Sequence, residues 1–581
     1  MPSLENLRPF LWAALVSLLF MNYTAWQEDH PAAPAPVAVA NAPATDTFAQ
    51  SVPTVPTAPA ALPAATTPAG APAPGAEAAA LTAAAAAAPV AAAVVAEPAP
   101  TFIRVKTDVL DLTVSTRGGD LVRLDLPEYP LHKKDQDVKV RLFDTSSDNT
   151  RYVHQGGLVT GGAAVGKTEP SHLALFTAQS SNYALADGEN ELRVPLTWTD
   201  GAGLTVMRTY VFKRGQYAVT VESEVQNASN AAVNVAPYSQ ILRRAAPVES
   251  SMFNPETYAY RGPAVYDGEK YSKLHVDEDE ARTFQKQIKG GWFAAMQHYF
   301  VTAIVPPGDE AWTYALKING DDALLQTTGP SRSVAAGTSA KLYQKLYMGP
   351  KLQEQLVTAG PRLDLSVDYG KLTLIAEPLF WVLKQVHKVV TNWGLTIILV
   401  TLLIKLVFYK LSETSGRSMA RMRNIQPRMK ALQERYADNR EELGKQMMEL
   451  YKREKVNPIA GCLPMLVQIP FFIAFYWVLM ESVEMRQAPF YGWLNDLSSM
   501  DPYYILPVVM AGAMFLQFKL NPAPADPIQA KVFAFMPLVM AVTMAWFPSG
   551  LLLYWITNTG LSILQQWHIN RVVARETPTK A

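Results

Sequence analysis

Residues 395–409 read Leu-Thr-Ile-Ile-Leu-Val-Thr-Leu-Leu-Ile-Lys-Leu-Val-Phe-Tyr, an apolar run that contains one charged residue, Lys405. The run predicts a membrane-spanning helix, in which a central lysine costs roughly 2.5–3.5 kcal/mol on insertion scales. Two interpretations fit this charge. Lys405 lies about four residues, roughly 6 Å of helix, from the end of the run, so its stem can reach the headgroups. Alternatively, it faces a water-filled cavity together with Thr401, one turn earlier on the same helical face.

Five further apolar runs are long enough to cross a hydrocarbon core of roughly 30 Å. Together with residues 393–409 they predict six membrane spans, and these five runs are Pro9–Trp26, Leu463–Met480, Tyr503–Leu520, Val532–Phe547 and Leu551–Trp567. The first run is either a retained anchor or a cleaved signal peptide, because the small-residue site Ala38-Val39-Ala40 follows it. Both interpretations export the residues that come next.

The distribution of charge predicts the orientation of these spans. The chain holds 51 Lys and Arg against 51 Asp and Glu, and only 18% of its residues are charged, which excludes a globally basic nucleic-acid binder and favours a membrane protein. Residues 411–457 hold eleven Lys and Arg against seven Asp and Glu, so the positive-inside rule places them in the cytoplasm. Six spans with both termini cytoplasmic then place the large segment after the first span outside.

That large segment is predicted to contain a linker and a soluble domain. Residues 31–100 are mainly Ala and Pro without any Lys or Arg, a composition that does not bury enough varied apolar surface to become ordered. From residue 101, short alternating segments such as 109–114 and 216–225 recur between Gly, Asn and Asp clusters, which is typical of an all-β sandwich. The single cysteine, Cys462, excludes an intrachain disulfide.

The whole chain divides accordingly into segments of different character. The predicted segments are an N-terminal anchor at 1–30, an Ala/Pro-rich linker at 31–100, the β domain at 101–360, an interfacial amphipathic helix at 368–390, spans at 391–411, 460–481, 502–520, 532–547 and 549–569, a cytoplasmic helical hairpin at 412–459, a periplasmic loop at 482–501, a cytoplasmic loop at 521–531 and a cytoplasmic tail at 570–581.

Polar side chains inside the spans are candidate functional groups. Asn558, Thr559 and Ser562 follow Trp555 at helical spacing, so one face of the last span is polar, and Gln468 and Gln517 add polar positions in other spans. A groove would use such groups, but hydrogen bonds between packed helices would satisfy them equally well. No phosphate-binding Gly-rich loop, zinc motif or nucleophile motif occurs in the sequence, so we expect neither an enzyme nor a cofactor or metal site.

Several motifs occur in a fixed order along the chain. They are Asn392-Trp-Gly394, 418–427, 455–470, Arg486-Gln-Ala-Pro-Phe490, 501–507 and Phe547-Pro-Ser-Gly550, and in the β domain Arg261-Gly262, Gly290-Gly-Trp292 and Leu346-Tyr-Met-Gly-Pro350. These motifs closely resemble those of the YidC membrane protein insertases of the Oxa and Albino family, in the Gram-negative type with a large periplasmic domain. The resemblance extends over nearly all of the chain except the linker.

The resemblance implies a polytopic α-helical membrane protein of six transmembrane helices, with a five-helix insertase core around a hydrophilic groove and a periplasmic all-β super-sandwich domain. Lys405 matches a groove position that is usually Arg; the lysine keeps the charge but lacks the bidentate fork. The predicted site therefore consists of the groove residues Lys405, Thr401, Trp555, Gln468 and Asn558 and the substrate-slide residues Phe472 and Met510.

The implied function is the insertion and folding of nascent proteins in the bacterial inner membrane, alone or with the Sec translocon, by a non-enzymatic route. The implied partners are nascent membrane proteins, Sec translocon components, the ribosome (through the cytoplasmic hairpin and the tail) and membrane lipids, but not DNA. Two other classes stay open. A secondary transporter would use the intramembrane cation to bind an anionic solute, and a sugar-binding envelope protein would use the outer domain.

Overall fold

The structure is a computed structural model of the 581-residue chain. It describes residues 50–53, 99–147, 150–160, 169–244, 259–436, 439–454, 463–520 and 527–576. The predicted first span, most of the Ala/Pro-rich linker and Cys462 lie outside these residues.

Twenty strands are present in the described part of the chain, and they form the predicted β domain. Their bounds are β1 Phe102–Lys106, β2 Asp111–Ser115, β3 Leu121–His132, β4 Asp135–Phe143, β5 Tyr152–Thr160, β6 Thr177–Ala178, β7 Asn182–Ala184, β8 Glu191–Thr199, β9 Leu204–Lys213, β10 Ala218–Asn227, β11 Val233–Arg244, β12 Pro263–Tyr266, β13 Tyr271–Lys273, β14 Gln285–Lys289, β15 Trp292–Met296, β16 Phe300–Val305, β17 Ala311–Asn319, β18 Asp322–Thr328, β19 Arg332–Val334 and β20 Thr338–Pro350.

These strands build two large sheets. One has eleven strands in the order β14-β17-β18-β11-β5-β3-β2-β1-β7, with β19 paired to β11 and β4 paired to β3; the other has the order β13-β12-β15-β16-β20-β10-β9-β8-β6. The pairs are antiparallel except β1 with β7. Along β10 the side chains alternate between the core and the outer face, so that Val219, Val221 and Val225 are buried. The prediction of an all-β domain is confirmed.

Ten α-helices are present in the described residues. Two short ones, α1 Asp279–Arg282 and α2 Gln353–Ala359, belong to the β domain. The others are α3 Thr373–Val390, α4 Trp393–Val407, α5 Tyr409–Arg435, α6 Arg440–Arg453, α7 Leu463–Glu481, α8 Ile505–Leu520, α9 Pro527–Met544 and α10 Ser549–Glu576. Helices α5 and α6 form a hairpin whose second helix is capped by Asn439, where the side-chain oxygen accepts a hydrogen bond from the Glu442 amide.

Hydropathy of the observed helices differs from the expectation of six clear spans. Within the described residues, no single helix combines the length and the apolar character needed to cross a membrane; α4 and α5 reach both only as a pair, bent by 70°. Shorter apolar helical stretches cover 467–481, 505–520 and 531–544. The predicted span 391–411 ends earlier, at Val407, because the chain turns at Phe408 before α5 begins.

Candidate functional site

A cavity of about 320 Å³ lies among α4, α5, α7, α8 and α10. We call it the Lys405 groove. It is lined by Lys405, Ser412, Ser415, Gly416, Met419, Gln468, Ile469, Phe472, Met514, Gln517, Tyr554, Trp555, Asn558, Thr559, Ser562, Gln565 and Gln566. Among the described residues that line this cavity, Lys405 is the one charged side chain, and amides and hydroxyls supply most of the other polar groups.

The Lys405 ammonium group is held against α10. Its Nζ donates a hydrogen bond to Ser562 Oγ at 2.8 Å, and that hydroxyl donates to the Asn558 carbonyl oxygen, also at 2.8 Å. In the described part of the chain no carboxylate pairs with Lys405. An ammonium group has three donors, so this arrangement leaves Lys405 able to interact with a further polar group in the groove.

Aromatic side chains form the opposite wall. The Phe472 ring meets the Trp555 ring edge to face, with centroids 4.7 Å apart and an interplanar angle of 84°. Phe475 stacks on Tyr554 at 4.4 Å, behind that contact. Such pairs favour fixed geometry, so aromatic rings from both α7 and α10 form an ordered apolar wall, beside the polar part of the groove formed by Lys405, Asn558 and Ser562.

Five of the seven residues predicted for the site line this groove: Lys405, Gln468, Phe472, Trp555 and Asn558. Thr401 does not line it, although it lies one turn from Lys405. Its side chain is only 1% exposed, and its hydroxyl donates to the Ile397 carbonyl oxygen at 2.6 Å. A threonine hydroxyl that bonds back to its own helix is already satisfied when it is buried.

Met510, the second predicted slide residue, is also placed differently. Its side chain is fully buried and packs with Leu494, Leu506 and Leu552. It therefore connects α8 to α10 and to the loop before α8. The neighbouring Val508 and Val509 are exposed, as are Ile505, Phe515 and Leu516 on the same helix.

Some groove residues lie outside the seven-residue predicted site, although Ser562 and Gln517 are already candidate polar residues of the spans. Ser562 is the direct partner of Lys405, and Gln517, Gln565 and Gln566 add amides to the lining. Extending the polar stripe of the last span by one turn would have found Gln565 and Gln566, since they follow Ser562 at the next helical spacing. Ser412 and Ser415 carry no such signal, because they lie beyond the bend after α4 and only packing brings them to the groove.

The loop between α7 and α8 covers the start of α10. The Ser549 and Gly550 amides donate to the Ser499 and Leu497 carbonyl oxygens at 2.7 and 2.9 Å. Asp501, fully buried, accepts hydrogen bonds from the Leu506 amide at 2.7 Å and from the indole of Trp493 at 3.0 Å. These bonds satisfy donors at two helix N-termini, which would otherwise be unpaired. The loop is therefore fixed at this end of the helices.

Within the described residues, no group of three or more His, Cys, Asp or Glu is arranged to hold a metal ion.

Family models match most of the chain, and a known relative matches nearly all of it. Residues 102–382 match the YidC periplasmic domain, and residues 385–576 match the 60Kd inner membrane protein family. A "Membrane protein insertase YidC" of Thioalkalivibrio sulfidiphilus is 44% identical over 580 residues, covering 98% of this chain and 99% of the relative. Another protein of that name, from Methylococcus capsulatus, is 46% identical over 477 residues, covering 82% and 86%.

A solved structure is also similar. It is described as an active YidC insertase crystal structure with the first transmembrane domain resolved, and it is 17% identical, covers 81% of this chain and 92% of its own, and has a TM-score of 0.35. At that TM-score the superposition adds no weight to the sequence relationship.

Proposed function

The chain belongs to the YidC family of membrane protein insertases, and from this premise we propose that the Lys405 groove receives the hydrophilic segment of a client during insertion. The function of the family is to insert proteins into the inner membrane, and nascent membrane proteins are its substrates. The relatives give no support to a secondary transporter, because those compared are named insertases. The observation that carries the proposal is that Lys405 lies in a polar cavity and pairs with no carboxylate in the described part of the chain.

The groove would act by lowering the cost of desolvation. Moving an unpaired polar group from water into an apolar environment costs several kcal/mol, and a charged group costs more. Lys405 and the amides and hydroxyls on α10 offer alternative partners to the client's outer segment while it is away from bulk water. An acidic segment gains most, since the single charge in the lining is positive.

The apolar segment of the client would move along the outer surface of the helices. Ile469 and Ile473 on α7, and Val508 and Val509 on α8, are exposed in the described structure. Phe472 lies between the isoleucines and reaches the groove wall. Transfer of the client's apolar surface into lipid then supplies the driving force, so the route needs no nucleotide.

We propose the topology that the charge distribution predicts: six spans, both termini in the cytoplasm, and the β domain in the periplasm. The basic α5–α6 hairpin and the tail are then the surfaces for the ribosome, and the Sec translocon is a partner for some clients. Single-cysteine variants in a Cys462→Ser background test the orientation. A membrane-impermeant maleimide added to spheroplasts should label exposed Lys289→Cys and spare exposed Lys430→Cys; the reverse pattern contradicts this topology.

Substitution of Lys405 tests the groove directly. In a strain depleted of its own insertase, we expect Lys405→Ala to reduce insertion of a single-span client with an acidic outer tail by about tenfold or more, and Lys405→Glu to reduce it further. The reason is that the alanine removes the attraction, whereas the glutamate repels the tail.

The matched control is Lys410→Ala. Lys410 lies five residues further along the chain, at the start of α5, and its side chain is 93% exposed beside Glu413. Its removal should leave insertion unchanged, because exposed ion pairs contribute little. Equal insertion by wild type and Lys405→Ala, at equal protein levels, would falsify the groove proposal.

A further inference from the structure

A cleft in the β domain is lined by four arginines. It has a volume of about 670 Å³, within the range of small-molecule sites, and lies between β4, β11 and the residues that flank β12 and β13. Its charged lining residues are Arg141, Arg243, Arg244, Arg261, Asp144 and Asp277. Four guanidinium groups and two carboxylates leave the lining with a net charge of +2, although Arg141 also pairs at 2.7 Å with Asp125, which lies outside the lining.

Arg243 is the least neutralised of these groups. Its Nη1 donates to the Met296 carbonyl oxygen at 2.6 Å, and its guanidinium carbon lies 5.3 Å from the centroid of the Tyr152 ring. Among the described residues no carboxylate contacts it. The adjacent Arg244, in contrast, binds both oxygens of Asp322 at 2.7 Å. Burial and, after it, the charge of Arg261 lower the pKa of Arg243.

A partly buried cation without an anionic partner is unfavourable unless a ligand supplies the anion. Guanidinium groups match phosphate oxygens in bidentate geometry, which a lysine cannot do. Arg141 on β4 and Arg243 on β11 come from different strands of one sheet and face the same cleft. The chemistry of the cleft is therefore that of an oxyanion site.

The cleft adjoins the end of a membrane helix. Tyr260 lines both this cleft and a smaller cavity, whose other walls include Trp477 and Glu481 at the end of α7. The Tyr260 ring also lies beneath the Lys273 ammonium, with 5.2 Å to its centroid. The topology proposed above puts this end of α7 at the periplasmic surface of the membrane, where phospholipid headgroups lie.

We propose that the arginine cleft binds the phosphate group of an anionic phospholipid from the outer leaflet of the inner membrane. The choice of a lipid rests on the proposed topology, whereas the affinity for phosphate rests on the arginines alone. Binding there would fix the β domain to the membrane surface beside α7.

Native mass spectrometry of the full-length protein, purified in detergent, tests the cleft. The probes are short-chain phosphatidylglycerol, phosphatidylcholine, inorganic phosphate and a glutamate-rich peptide, each added separately. We expect the wild type to retain one more phosphatidylglycerol than either Arg243→Gln or Arg141→Gln, with about tenfold weaker binding of that lipid in the variants. Phosphatidylcholine should bind equally to all three proteins.

The control variant is Arg104→Gln, which removes the same charge from an exposed position on β1. It should behave as wild type. Arg141→Gln is the second test variant. Because Arg141 lies nearer the surface, this variant should fold even if Arg243→Gln does not. Equal retention of phosphatidylglycerol by all four proteins overturns the proposal, as does binding of phosphate or peptide without the lipid. The assay measures lipid binding and not insertion, so its failure and a failure of the groove proposal are separate results.

Discussion

At the scale of single residues, Asp120 shows how burial changes an ordinary carboxyl group. It lies in the β domain, where its Oδ2 accepts a hydrogen bond from Gln155 Nε2 at 2.8 Å. Its Oδ1 has no hydrogen-bond partner among the described residues. Burial raises the pKa of Asp120 to about 8, against the lowering effects of the Gln155 hydrogen bond and of Arg208 and Arg117.

This pKa predicts the direction in which stability changes with pH. The unfolded state has a pKa of 3.8 at this group, so between about pH 4 and 8 the folded state binds the additional proton. The free energy of unfolding therefore falls as pH rises through this range, by about 1.4 kcal/mol per pH unit for one such group. Buried His154 and His298, whose pKa values are lowered to about 3 mainly by burial, act in the opposite direction up to pH 6.5.

The clearest window is thus pH 6.5–8. Burial raises the pKa of Glu484 to about 7, so this group adds to the effect of Asp120 only in the lower part of the window. We expect Asp120→Asn to reduce the loss of stability in this window, because the amide stays neutral while its oxygen still accepts from Gln155. Denaturant unfolding at half-unit pH steps measures the free energy of unfolding across this window. Asp135→Asn, at an exposed position on β4, is the control; an identical pH slope for Asp120→Asn and wild type would contradict the prediction.

At the scale of secondary-structure elements, the start of α4 is fixed by a side-chain cap and a close approach. Asn392 caps the helix, and its oxygen accepts from the Leu395 amide at 3.0 Å. Two residues later, Gly394 packs directly against Phe490 in the loop between α7 and α8. A methyl group at Gly394 would lie 2.0 Å from the Phe490 ring. The glycine is therefore required by the loop and not by the backbone of the helix.

We predict that Gly394→Ala destabilises the protein by about 1–3 kcal/mol, the usual cost of overpacking, because the Phe490 ring must move. Thermal unfolding in detergent measures the change. Gly444→Ala is a matched control on α6, where a new methyl group meets nothing within 4 Å. A helical alanine at such an open site should instead stabilise by about 0.5–1 kcal/mol. Equal shifts for both variants would rule out the packing explanation.

At the scale of the whole molecule, contacts distant in sequence join the β domain to the helices. Lys351, after β20, and Glu481, at the end of α7, are 3% and 7% exposed and approach to 3.8 Å. His298 Nε2 donates a hydrogen bond to the Met480 carbonyl oxygen at 2.8 Å. Arg486 donates to the carbonyl oxygen of Pro130, at the tip of the β3–β4 hairpin, at 2.9 Å. The β domain is therefore connected to the helices by side-chain contacts at several separate points.

The buried Lys351–Glu481 pair yields a prediction for this junction. Removing one partner leaves the other charge buried and unpaired, so Lys351→Met and Glu481→Leu should each destabilise the protein, by about 3–5 kcal/mol for a fully desolvated pair. The double variant Lys351→Met/Glu481→Leu should recover much of that loss. Unfolding of all four proteins gives the coupling energy. Additive losses in the double variant would show that the two side chains do not act as a pair.

Local patterns in the sequence determine much of this protein. Alternating residues predict strands such as β10, and an apolar run with one charge identifies α4 and Lys405, because periodicity and hydropathy depend only on neighbours along the chain. The motifs that occur in a fixed order along the chain identify the family. Five of the seven residues predicted for the site line the Lys405 groove. Their prediction comes from polar positions within single helices and, for Phe472 and Trp555, from the family resemblance.

Only the tertiary structure decided the rest. Thr401 is buried and Met510 lies in a helix contact, while Ser562 is the partner of Lys405 across 157 positions of sequence. The arginine cleft likewise joins Arg141 to Arg243 from separate strands. Which side chains meet depends on how the elements pack and on where the chain bends, as at Phe408. Burial and hydrogen bonding between distant residues leave no periodic pattern in the sequence, so only the folded structure reveals them.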